Sequence, residues 1–93
     1  MRERPLILLT NDDGVGAKGL LALERALRPL GEVWVVATAT ERSTSSHSLT
    51  LRRDLPVQRL GPRRWAVDGT PVDCVFVALF AIVPRSPAVV VSG

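Results

Sequence analysis

Two adjacent carboxylates, Asp12 and Asp13, lie where the apolar run "LILLT" gives way to the glycine-rich "GVGAKG" and then to a leucine-rich stretch. A strand that feeds a helix N-terminus ordinarily receives a phosphate, because the first helical amides point outward and carry partial positive charge. Two aspartates at that point oppose an anion: unit charges about 4 Å apart at an effective dielectric near 20 interact by roughly 4 kcal/mol. The opposition disappears when a divalent cation sits between them. Mg²⁺ and Mn²⁺ take oxygen ligands, and Mg²⁺ binds through one or two carboxylates, water and a substrate phosphate. Asp12 and Asp13 therefore read as ligands of one divalent metal ion, with a hydroxyl or amide oxygen from a facing loop completing the set.

Two other readings compete. A single aspartate at a helix start commonly caps it and favours its dipole. In addition, "GVGAKG", Gly14 to Gly19, fits the G-x-G-x-x-G dinucleotide pattern, and Glu41 follows the second strand. On that reading the chain is a non-enzymatic nucleotide-binding α/β module.

The elements that must position these residues follow from the hydrophobic pattern. "PLILLT" and "EVWVVAT" are continuous apolar runs, as in parallel strands covered on both faces. Between them Leu20, Leu21, Leu23, Ala26, Leu27 and Leu30 recur at helical steps, ended by Pro29 and Gly31. This is a βαβ unit, whose functional edge lies at the carboxyl ends of the strands, so "NDDG" and the polar loop of residues 38 to 48 should share one edge. "LTLRRDLPVQRLGPRRWAV" predicts an antiparallel excursion ending in "RWAV". "DGTPVDCVFVALFAIVP" predicts a buried helix, with Thr70 as cap, Pro71 in the first position and Asp73 in the first turn. "PAVVVSG" predicts a further buried strand, after which the chain ends at Gly93 without a covering helix, the pattern of an interrupted α/β domain.

Composition narrows the classes. At 93 residues, 46% hydrophobic and a net charge of +3, the chain is a single globular unit. Arg52, Arg53, Arg59, Arg63 and Arg64 crowd one segment, but no aromatic residues alternate with them, so they read as a solvated face without a stable nucleic-acid partner. The lone Cys74 sits in an apolar run and reads as a small hydrophobe. The N-terminal apolar run is too short for a signal peptide or a membrane span, which makes a cytoplasmic location the expectation.

In "LLTNDDGVGAKGL", "ERSTSSHSLTL", "VDGTPVDCV" and "VVVSG", in this order and spacing, the sequence resembles the survival protein E (SurE) family across nearly all 93 residues. The resemblance implies a Rossmann-like three-layer α/β domain with a mainly parallel sheet, of which residues 1–93 form the N-terminal portion. It implies a metal-dependent phosphomonoesterase that hydrolyses nucleoside 5′- and 3′-monophosphates. By the same resemblance Asp12 and Asp13 ligate Mg²⁺ or Mn²⁺ and act in catalysis, Ser43 adds its hydroxyl as a third ligand, and Asn11, Thr44 and His47 line the site. Thr44 departs from the glycine frequent in relatives. The family's fourth ligand, an asparagine after "VVSG", its phosphate-binding Ser-Gly-Thr segment and the arms that make homodimers or tetramers all fall beyond Gly93. An inactive or weakly metal-binding fragment is accordingly the alternative.

Overall fold

β1 (Leu6–Thr10) is buried along its whole length, because its run of apolar residues leaves no polar face to turn toward water. The computed structural model describes residues 4–40 and 55–93. After β1 come α1 (Lys18–Leu27), a 3₁₀ turn (Arg28–Leu30), β2 (Glu32–Thr38), β3 (Val57–Gly61), β4 (Arg64–Val67), α2 (Pro71–Val77) and β5 (Val89–Ser92). Among the described residues the strands make one five-stranded sheet in the order β3-β4-β2-β1-β5. β1 pairs in parallel with β2 and with β5, and β2 pairs in parallel with β4. Of these described strands only β3 runs antiparallel, against β4, with an irregularity between Arg59 and Gly61. The fold is thus an α/β domain of three layers with a mainly parallel sheet.

Each face of the sheet carries one helix. On one side Leu20 of α1 packs with Ile7, Leu9, Val33, Val35 and Ala37. On the other, Cys74 and Ala78 pack with Leu8, Val36 and Val67. Fully burying one such leucine or valine contributes about 1.5–3 kcal/mol, so these two clusters carry the fold. After α1 the chain returns to the sheet through Gly31, where a Cβ would lie 2.4 Å from the Pro5 carbonyl oxygen. Glycine is required there by close approach, since its φ of 178° is ordinary extended backbone.

α2 starts as its sequence predicts. The Thr70 side chain accepts from the Asp73 amide at 3.2 Å, and the Asp73 carboxylate accepts from the Thr70 amide at 2.8 Å. This reciprocal pair is a capping box, with Pro71 at the first helical position. The helix then widens into a π turn over Ala78–Ile82.

Several sequence expectations are corrected. α2 and its extension are not buried all round: Cys74 and Ala78 face the sheet, while Phe76, Leu79 and Phe80 are exposed. Among the described residues β5 stands at an edge of the sheet, so Val89 and Val90 are 48% and 46% exposed where the pattern predicts burial. The apolar stripe of α1 is narrower than its leucines suggest, since Leu21, Ala26 and Leu30 face outward while Glu24 is buried. The arginine segment is not simply a solvated face. Arg64 pairs with Glu24, and Arg59 lies 5.4 Å over the Trp65 ring, which stacks on Trp34 at 5.5 Å. Arg52 and Arg53 lie outside the described residues. Among the described residues no helix is long and apolar enough to cross a membrane.

Candidate metal centre

The carboxylates occupy a short turn between β1 and α1 that is tied down at several points. The Asn11 side-chain amide donates to the Gly14 carbonyl at 2.8 Å, and the Ala17 amide donates to the same carbonyl at 3.1 Å. Gly14 has φ 106°, a conformation that an L side chain resists. The Val15 amide donates to the Thr38 carbonyl at 2.7 Å, which fastens the turn to the carboxyl end of β2. "NDDG" and the start of the polar loop therefore share one sheet edge, as the βαβ pattern requires. Within the turn Asp12 is half-buried and Asp13 exposed, while Asn11 is buried.

The capping reading of the aspartates fails on this geometry. The residue that opens α1 is Ala17, no side chain among the described residues caps the helix, and its first turn has no acidic residue. Both carboxylates are left for other work. The dinucleotide reading also loses support: among the described residues a Cβ at Gly16 or Gly19 would meet nothing within 4 Å. In that motif the second glycine admits the pyrophosphate and the third allows close helix–strand packing. Gly19 makes no such close approach here.

The donors in the turn suit a hard divalent cation. Besides two carboxylates, the Asn11 amide oxygen is buried with no hydrogen-bond partner among the described residues, as is the Thr38 hydroxyl on the neighbouring strand end. Buried polar atoms are rarely left unpaired, and those at functional sites wait for an ion, a water or a ligand. Among the described residues no three His, Cys, Asp or Glu side chains cluster, so further ligands there would be hydroxyl or amide oxygens. Ser43, Thr44 and His47, together with Glu41, lie outside the described residues.

Thr70 and Cys74 take structural parts. Thr70 caps α2, as described above. Cys74 is fully buried, and burial pushes its thiol up to about 12, against the smaller effect of the Thr10 hydroxyl. A thiol held protonated in this way is not a nucleophile. The sequence reading passed over Glu24 and took Arg64 only as part of a solvated face. The signal for Glu24 lay in spacing: it follows Leu20 by four residues and precedes Leu27 by three, which places it on the apolar stripe.

With this geometry in place, the likeness to known proteins is close and partial. Residues 7–93 match the family described as survival protein SurE. Over 87 residues the chain is 58% identical to the 5′-nucleotidase SurE of Gemmatimonas aurantiaca, covering 94% of the chain and 34% of that protein. The 5′-nucleotidase SurE of Sorangium cellulosum is 50% identical over 93 residues, with 97% and 36% covered. The crystal structure of the SurE protein from Aquifex aeolicus superposes with a TM-score of 0.90 at 41% identity, covering 96% of this chain and 37% of that one. The chain spans about a third of the length of these relatives.

Proposed function

The chain belongs to the survival protein SurE family, and from that membership we propose that it carries the metal-holding part of a nucleotidase acting on nucleoside 5′- and 3′-monophosphates. The observation that carries this reading is that Asp12 and Asp13 stand clear of the helix cap, in a fastened turn at the carboxyl end of β1. Asp12 and Asp13 hold one Mg²⁺ or Mn²⁺, Ser43 adds its hydroxyl, and Asn11, Thr44 and His47 line the site. When bound, the cation supplies positive charge against the phosphoryl oxygens and makes water a better nucleophile at neutral pH. The chain's own groups bind and orient. A carboxylate of the pair accepts a hydrogen bond from the attacking water and aligns it opposite the leaving ribose oxygen, while the Asn11 amide oxygen accepts another in the same site. The reading implies a cytoplasmic setting, in keeping with one buried thiol as the only cysteine, and assembly of the whole protein as a homodimer or tetramer.

Turnover by these 93 residues alone is expected to be low. The family pattern calls for a further asparagine ligand and a phosphate-binding segment, and losing a single transition-state donor commonly costs about 10² to 10³ in rate. The test is phosphate release from a panel of nucleoside monophosphates with Mn²⁺, Mg²⁺ or EDTA, beside Mn²⁺ binding followed by electron paramagnetic resonance. Metal-dependent binding that Asp12→Asn and Asp13→Asn each abolish supports the site. Binding unchanged in both variants would place the metal elsewhere.

A further inference from the structure

Glu24 and Arg64 come from different layers, α1 and β4, and pair with each other. Glu24 is only 8% exposed; its carboxylate accepts from Arg64 through one oxygen and from Arg28 at 3.2 Å through the other. A buried carboxylate needs such partners, so Glu24 keeps the Arg64 guanidinium in one place. Without it Arg64 could turn aside, for a cavity of about 220 Å³ lined by Glu24, Arg28, Arg63 and Arg64 opens beside the pair.

The position in which Glu24 holds Arg64 has a consequence at the turn. While one terminal nitrogen pairs with Glu24, the other donates to the Val15 carbonyl at 3.4 Å. The Val15 amide meanwhile donates to Thr38 on β2 at 2.7 Å. One residue is thereby held from both ends, by β2 and by β4. It follows directly on Gly14, whose missing side chain gives the backbone no steric preference of its own.

We propose that Arg64, clamped by Glu24, is a positioning residue for the carboxylate turn: its guanidinium holds the Val15 carbonyl and so fixes where Asp12 and Asp13 present their oxygens. The inference rests on the reading of the two aspartates as metal ligands. It requires arginine specifically, because a planar fork can reach two acceptors in fixed directions while an ammonium is a point charge.

The test compares the parent chain with Arg64→Lys, Arg64→Met and Glu24→Gln. Amide hydrogen exchange is read at Val15, with Leu8 and Val36 as references in the core, and Mn²⁺ affinity is read by electron paramagnetic resonance. Loss of the clamp should speed exchange at Val15 by about tenfold in all three variants, the effect of one net hydrogen bond, and leave Leu8 and Val36 nearly unchanged. Mn²⁺ binding should weaken in parallel. Full protection of Val15 in Arg64→Lys would overturn the proposal, since charge alone would then suffice. Equal acceleration at all three amides would also overturn it, by showing a general packing role. A parent chain that binds no Mn²⁺ while Val15 responds as expected would remove the metal reading and uphold the clamp on the turn.

Discussion

Asn11 and Gly14 are joined across the two aspartates that separate them: the Asn11 side-chain amide donates to the Gly14 carbonyl at 2.8 Å. That bond closes the turn on itself, and the φ of 106° at Gly14 makes the closure sterically open only to glycine. Gly14→Ala should therefore lower unfolding stability by about 1–3 kcal/mol, the usual cost of holding a side chain in a sparsely populated backbone region. Urea denaturation checks this, and an unchanged midpoint would show that the turn relaxes freely.

The start of α2 offers a second test. Thr70→Ala removes the oxygen that accepts from the Asp73 amide and should cost about 1 kcal/mol, whereas Thr70→Ser should nearly restore the parent value. Gly69→Ala strikes the same cap from outside, because its Cβ would stand 2.5 Å from an Asp73 carboxylate oxygen. Both losses should appear in the same denaturation midpoint, and a Gly69→Ala chain as stable as the parent would mean that the carboxylate can step aside.

Cys74 predicts a pH dependence with a definite sign. Burial raises its thiol from 9.0 to about 12, so between those values the unfolded chain has lost the proton that the folded chain retains. Stability contributed by the neutral thiol is complete below pH 9 and falls as pH rises toward 12, with a limiting slope of about 1.4 kcal/mol per pH unit. Cys74→Ala should flatten that slope. Its persistence in the variant would assign the alkaline loss to other groups.

Glu32 predicts the opposite sign. The Trp34 indole donates to its carboxylate at 2.7 Å and is the main reason its pKa lies below 4.5, with Arg85 and Arg63 assisting and burial opposing. The stability it contributes is present above the ordinary carboxylate range and is lost as pH falls through the lowered folded value. Trp34→Phe removes the donor and should move the Glu32 titration upward, toward 4.5, as followed by nuclear magnetic resonance. A titration that stays in place would transfer the effect to the arginines.

Much of the architecture could be read from local pattern. The apolar runs of β1 and β2 and the Thr70–Pro71–Asp73 start of α2 coincide with the elements observed. The antiparallel excursion ending in "RWAV" is likewise present as the β3–β4 pair. Such features depend on residues adjacent in sequence, where steric preference and capping chemistry act within a few positions. The pairing of Asp12 and Asp13 was visible for the same reason.

What local pattern could not supply was the direction in which each residue faces. Glu24 reads as a surface charge until Arg64, distant in sequence, is laid against it by the pairing of β4 with β2. Val89 and Val90 read as core until the strand order puts β5 at an edge. "NDDG" is equally compatible with a helix cap until the helix is seen to open at Ala17. Sequence by itself determined most of the elements and the place of the two carboxylates, because helix and strand periods and charge are local properties. Only the tertiary structure decided burial, pairing and the freedom of those carboxylates, because each depends on which surface another segment covers.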